Sequence, residues 1–177
     1  MHDNEYATRP YEDYTKLSKR LKYAINNNIN TCIITGTGEA LQNKKFMGDL
    51  ITLFETLDHP FPNIELQTTG VFLNDKENIK ILHNLGVNTI SLSVSDIFDN
   101  DNNLKIIRVP KHLRFDLEEL IQDLKDEGFN IRLSINMIKL FDSHSPNNIL
   151  LRVRELAPDH VTFRQMYYGS ELSEENH

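Results

Sequence analysis

Apolar positions along the chain switch repeatedly between two spacings. Tyr14, Leu17, Leu21, Ala24 and Ile25 stand three and four residues apart, which predicts an amphipathic helix over residues 11–27. Thr31-Cys32-Ile33-Ile34-Thr35 then runs apolar and β-branched into Gly36, the pattern of a buried strand. Helical spacing returns with Phe46, Leu50, Leu53, Phe54 and Leu57, and Pro60 and Pro62 close that stretch. A second strand over residues 64–68 is stopped at Gly70. The helix after it carries Ile79, Ile81, Leu82 and Leu85 and ends at Gly86, a C-cap glycine. Residues 88–94 (NTISLSV) make a third strand. Phe115, Leu117, Leu120, Ile121 and Leu124 mark a helix stopped at Gly128, and a strand follows over residues 130–138. A shorter helix over residues 149–156 leads past Pro158 into a last strand at residues 160–164.

Helix and strand thus alternate about five times, at roughly 25–35 residues per unit. That rhythm predicts an α/β fold with a parallel sheet of about five strands and crossover helices, either doubly wound or an arc of a (β/α) barrel. No internal repeat and no Gly/Ser- or Pro-rich linker divides the chain, so residues 1–168 read as a single domain. Residues 169–177 read as a short, acidic, disordered tail. In either architecture the chemistry gathers where strands end.

The first strand ends in Gly36-Thr37-Gly38-Glu39-Ala40. Two glycines flanking one residue let a backbone turn sharply and approach a ligand, and Glu39 adds a carboxylate. A plain strand-to-helix turn uses glycine in the same way. Leu41 stands where a dinucleotide fingerprint needs its third glycine, and the Gly-Lys-Ser/Thr of a phosphate loop is absent. The second strand ends in Gln67-Thr68-Thr69-Gly70. The third alternates Ser91, Ser93 and Ser95 with Leu92 and Val94 before Asp96. Those serines either line a polar cavity or bond to neighbouring backbone. The fourth strand puts Arg132, Ser134 and Asn136 on one face, and Arg164 closes the last strand beside Thr162.

Composition narrows the function classes. The 177 residues carry 19 basic and 26 acidic side chains, a net charge of −7 with no Lys/Arg run, which disfavours nucleic acid as a partner. No apolar stretch approaches a membrane span and the first ten residues are polar, so a cytoplasmic protein without membrane contact is expected. The one cysteine, Cys32, lies in the apolar first strand and reads as an inert core thiol. Residues 99–103 (DNDNN) begin like a calcium loop, but Leu104 and Pro110 stand where that loop needs glycine and glutamate. A solvated loop is expected there. The seven histidines form no His-Glu-x-x-His pair, and no Gly-x-Ser-x-Gly elbow occurs. Lys139 after the fourth strand is the one Schiff-base candidate, against the plainer reading of a solvated strand-end lysine.

The order of the strand ends carries a resemblance. Ile33-Ile34-Thr35-Gly36-Thr37-Gly38-Glu39-Ala40 resembles the Gly-Gly-Glu-Pro motif that ends the second strand of radical S-adenosylmethionine (SAM) enzymes. Thr68-Thr69-Gly70 is similar to their Thr-Asn-Gly turn, and Leu85-Gly86-Val87-Asn88-Thr89-Ile90-Ser91-Leu92-Ser93 to their run into strand four. Ser134-Ile135-Asn136 and Val161-Thr162-Phe163-Arg164 fit strands five and six, so the likeness covers residues 11–168. It implies a partial (β/α) TIM-like barrel arc that lacks the family's first strand. It also implies SAM as cofactor, with Gly36, Thr37, Gly38 and Glu39 at the methionine amino group and Thr69 at the turn. Ser93 would face the carboxylate or ribose, Asn136 the ribose, and Thr162 the adenine.

The complete family cleaves SAM reductively at a [4Fe–4S] cluster, producing a 5′-deoxyadenosyl radical that attacks a small-molecule or peptide substrate. Its cluster is held by a Cys-x-x-x-Cys-x-x-Cys loop, and this sequence has a single cysteine and no such motif. Ala40 replaces the motif's proline and Thr37 one of its glycines. Three readings follow. The chain is a radical SAM fragment or cluster-less member, inactive alone; or a non-catalytic binding or accessory module of the same fold; or an ordinary (β/α) barrel lyase using Glu39 or Lys139. An arc missing its edge strand exposes backbone and apolar side chains at residues 31–35. A homodimer through that edge, or a cover by the first helix, is the expected remedy.

Overall fold

The computed structural model describes residues 14–36 and 38–165. Its elements are α1 (Tyr14–Asn26), β1 (Thr31–Ile34), α2 (Lys44–Thr56), β2 (Asn63–Thr68), α3 (Lys76–Leu85), β3 (Thr89–Val94), α4 (Asn100–Ile106), α5 (Leu117–Asp126), β4 (Asn130–Met137), α6 (Pro146–Leu156) and β5 (His160–Gln165). Five parallel strands alternate with helices in one sheet, ordered β1-β2-β3-β4-β5, the pattern of a partial TIM-like barrel. The predicted start of the first helix, residues 11–13, lies outside the described residues.

The described residues divide into two compact units. The first takes those up to Thr68 together with 72–90; the second takes 69–71 and those from Ser91 onward. In the first unit β1 and β2 pair in parallel, Cys32 beside Ile64 and Ile34 beside Leu66. Helices α2 and α3 pack together, burying Met47, Leu50, Leu53 and Phe54 from one and Ile79, Leu82 and Leu85 from the other. Asp75 caps α3 by accepting from the Glu77 amide, and Gly86 ends it at φ 75°. A β-carbon is tolerated poorly at that angle, so the Leu-Gly-Val run has a helix-stopping role. Asn88 then clamps the sheet. Its amide side chain donates to the Pro62 carbonyl at 2.7 Å and accepts from the Ile64 N–H at 3.3 Å.

In the second unit β4 and β5 pair in parallel, from Arg132 beside His160 to Met137 beside Gln165, and α5 packs on β4 through a unit that buries Leu117, Leu120, Ile121 and Leu124. Asp159 repeats the clamp seen at Asn88: its carboxylate accepts from the Ile131 N–H at 2.8 Å while its own N–H donates to the Ile131 carbonyl. Both clamps sit where a strand begins, the end of a barrel-type sheet given to stability.

One expectation is overturned. Residues 99–103 are not a solvated loop. Asp99 caps α4 by accepting from the Asn102 N–H at 3.0 Å, and Asn103 is buried with its side-chain oxygen taking the N–H groups of Ser95 and Asp96. Asx residues favour a cap over a coil when backbone donors are within reach. Cys32 is half-buried, so it is only partly in the core.

Candidate functional site

In the first unit the site begins where β1 stops. Ile34 is buried, Thr35, Gly36 and Gly38 are exposed, and a short 3-10 turn, Ala40–Gln42, re-enters the core through Leu41. Glu39 precedes that turn in extended conformation, its carbonyl accepting from the Gln42 N–H. Its carboxylate accepts a hydrogen bond from the Thr68 hydroxyl at 2.5 Å, which fixes it at the C-terminal end of β2. A β-carbon built on Gly38 would meet no atom within 4 Å, and one on Gly36 only the Gly38 backbone. The turn therefore presents open backbone beside a positioned carboxylate, acceptors of the kind an ammonium group requires. Thr37, expected in the same contact, lies outside the described residues.

The other expected residues belong to the second unit. Thr69 is half-buried and precedes Gly70, whose φ is +94° and whose missing β-carbon would stand 3.0 Å from Leu120 and 3.1 Å from Phe115. A side chain at Gly70 would have to displace both neighbours and hold a strained backbone angle. Ser93 is half-buried on β3, two residues before Ser95. Asn136 donates to the Ser95 hydroxyl at 3.2 Å, joining the ends of β3 and β4. Thr162 is exposed on β5 in register with Ser134. The second unit thus gathers Asn136, Ser134, Thr162 and the end of β3, while Gly36, Gly38 and Glu39 stand in the first.

Several side chains are structural. Asp96 is 2% exposed; its two oxygens take the N–H groups of Phe98 and Asp99 and the Asn102 side chain, so the loop after β3 consumes it. Phe98 stacks on His144 with ring centroids 3.8 Å apart, tying the loops that follow β3 and β4. Lys139 is exposed. Burial pushes the Cys32 thiol above its ordinary value. Among the described residues no group of three or more His, Cys, Asp or Glu side chains could hold a metal ion.

Sequence reasoning passed over Glu65 and named Gln67 only as the start of a polar turn. Glu65 is buried on β2, and Gln67 donates to its carboxylate at 3.2 Å. The signal was the alternation Ile64, Glu65, Leu66, Gln67, Thr68. A parallel strand covered on both faces is normally apolar throughout, so alternation marks a polar face.

The family model of the Radical SAM superfamily matches residues 4–157. No curated protein matches the chain. Among solved structures, SacUVDE is similar over 88% of this chain and 68% of its own, at 13% identity and a TM-score of 0.33. No helix among the described residues is long and apolar enough to cross a membrane.

Proposed function

We propose, from the premise that the chain belongs to the radical SAM superfamily, that these residues are the SAM-binding part of such a protein and perform no radical chemistry alone. The open Gly36–Gly38 turn beside a Glu39 carboxylate pinned by Thr68 carries this reading. SAM's methionine moiety presents an ammonium, which the turn's carbonyls and Glu39 would hold. Ser93 and Asn136 would face the carboxylate and ribose, and Thr162 the adenine.

The [4Fe–4S] cluster does not fit these residues. Three thiolates are needed and one cysteine is present, half-buried on β1. Reductive cleavage of SAM would therefore require ligands from outside the 177 residues. Without them the domain is a SAM-binding module, and the single cysteine is the observation that favours this second reading. The substrate, a small molecule or a peptide, is set elsewhere than at the SAM contacts. Because Ile33 remains 50% exposed on edge strand β1, and α1 contributes no buried residue, self-association through that edge belongs to the same proposal.

Calorimetric titration with SAM tests the assignment. Weak, saturable binding is expected, and Gly38→Val should abolish it with the fold intact, since a β-carbon at Gly38 meets no protein atom within 4 Å. No heat at millimolar SAM, or equal binding by the variant, removes the SAM claim.

A further inference from the structure

β4 and β5 break the apolar habit of parallel strands. Ile131, Leu133 and Ile135 are fully buried on one face of β4, while Arg132, Ser134 and Asn136 occupy the other. The register sets His160, Thr162 and Arg164 beside those three, so this face of the pair is three rungs of polar side chains without a carboxylate. Neighbouring strands stand about 4.8 Å apart, and successive rungs on one face about 6.6 Å.

Arg164 does not project beyond its strand. It pairs in register with Asn136, yet its Nη1 donates to the Ser134 hydroxyl at 3.4 Å, one rung back. The guanidinium therefore turns back toward Ser134. Two other arginines of this unit are engaged by acids: Arg152 by Glu118 and Glu155, with the Ile97 carbonyl besides, and Arg114 by Asp101. Among the described residues no carboxylate pairs with Arg164, in a chain whose net charge is −7. A guanidinium carries five N–H donors in a planar fork matched to two oxygens of one oxyanion. Here a single long bond to a hydroxyl uses one of them.

We propose that Arg164, with the Ser134 hydroxyl beside it, forms an oxyanion site for a carboxylate or phosphate group of the substrate. The guanidinium grips two oxygens and the Ser134 hydroxyl completes the shell. The site deepens the proposed function by making the substrate an anion, and rests on that reading only for the word substrate.

The test uses the full chain and two probes, inorganic phosphate and malonate, followed by the side-chain N–H resonances of the arginines. Saturable shifts at Arg164 with one probe well ahead of the other are expected, and that order tells phosphate from carboxylate. Arg164→Gln should weaken binding about tenfold or more, as loss of a charge-assisted pair does. Arg164→Lys should retain part of it, as a point charge without the fork. SAM affinity should not change in either variant. Non-saturating shifts shared by Arg114 and Arg152, or equal affinity in Arg164→Gln, overturn the site. A parallel loss of SAM affinity overturns the substrate assignment, since the anion would then be SAM's own carboxylate. The two readings fail separately: anion binding with no SAM binding removes the SAM reading and leaves the oxyanion site, and the converse removes only the site.

Discussion

The Thr68 hydroxyl, at the end of β2, donates to the Glu39 carboxylate across 29 residues of sequence at 2.5 Å. The bond decides where the carboxylate of an otherwise open, glycine-flanked loop is held. Removing the hydroxyl without changing side-chain shape should release Glu39. Thr68→Val is expected to reduce SAM affinity about tenfold, in line with a hydrogen bond to a charged group, while Thr68→Ser keeps it. Calorimetry on both variants checks this. Equal affinities in Val and Ser variants would show that Glu39 needs no anchor.

Gly70 carries two burdens at once, a φ of +94° and side chains of Leu120 and Phe115 within 3.1 Å of where a β-carbon would be. Gly128 has a similar φ of +91° and open space around it. Gly70→Ala should therefore cost about 2–4 kcal/mol and Gly128→Ala about 1–2 kcal/mol, the difference being packing. Urea denaturation of the two variants measures it, and equal losses would mean that backbone angle alone matters at Gly70.

Cys32 titrates above its ordinary 9.0 because burial disfavours the thiolate. Alkylation by iodoacetamide should be slow near neutral pH and accelerate only in alkaline solution, since the thiolate is the nucleophile. The sign for stability follows. The folded state keeps the proton longer than the unfolded state, so this group's contribution is intact below 9.0 and is lost as pH rises through the folded value. Cys32→Ala should lose that part of the alkaline decline. A fast reaction at neutral pH would show the thiol to be accessible and ionised.

Self-association through β1 makes a simple demand on light scattering. Mass should rise with concentration, and Ile33→Lys should return the protein to monomer, because a charge on an edge strand opposes pairing. A wild-type monomer at every concentration removes the dimer.

Much of the sheet was legible because each strand is bracketed by local signals: the left-handed Gly86 after α3, Gly128 after α5, and β-branched runs between. Helix α4 was not legible. Its sequence, Asn100 to Ile106, has too few apolar residues for a periodic signal, and it is held by Asp99 and the buried Asn103, whose partners lie at the end of β3. The glycine turn after β1 was visible as a motif, but the Thr68 anchor was not, since a bond over 29 residues leaves no local trace. The arginine fold-back on β5 was hidden for the same reason. Arg164 and Ser134 are 30 residues apart, and only the register of two strands brings them together.

The order of strands in the sheet is the order in which they are synthesised. Pairs such as Thr31 with Asn63 and Arg132 with His160 close loops of about thirty residues, a modest entropic cost. No strand must wait for a distant segment to be made before it finds its neighbour, which keeps contact order low for a parallel sheet. Assembly can then track translation, each new strand docking beside the last. The direction in which the ribosome reads becomes the direction in which the sheet grows.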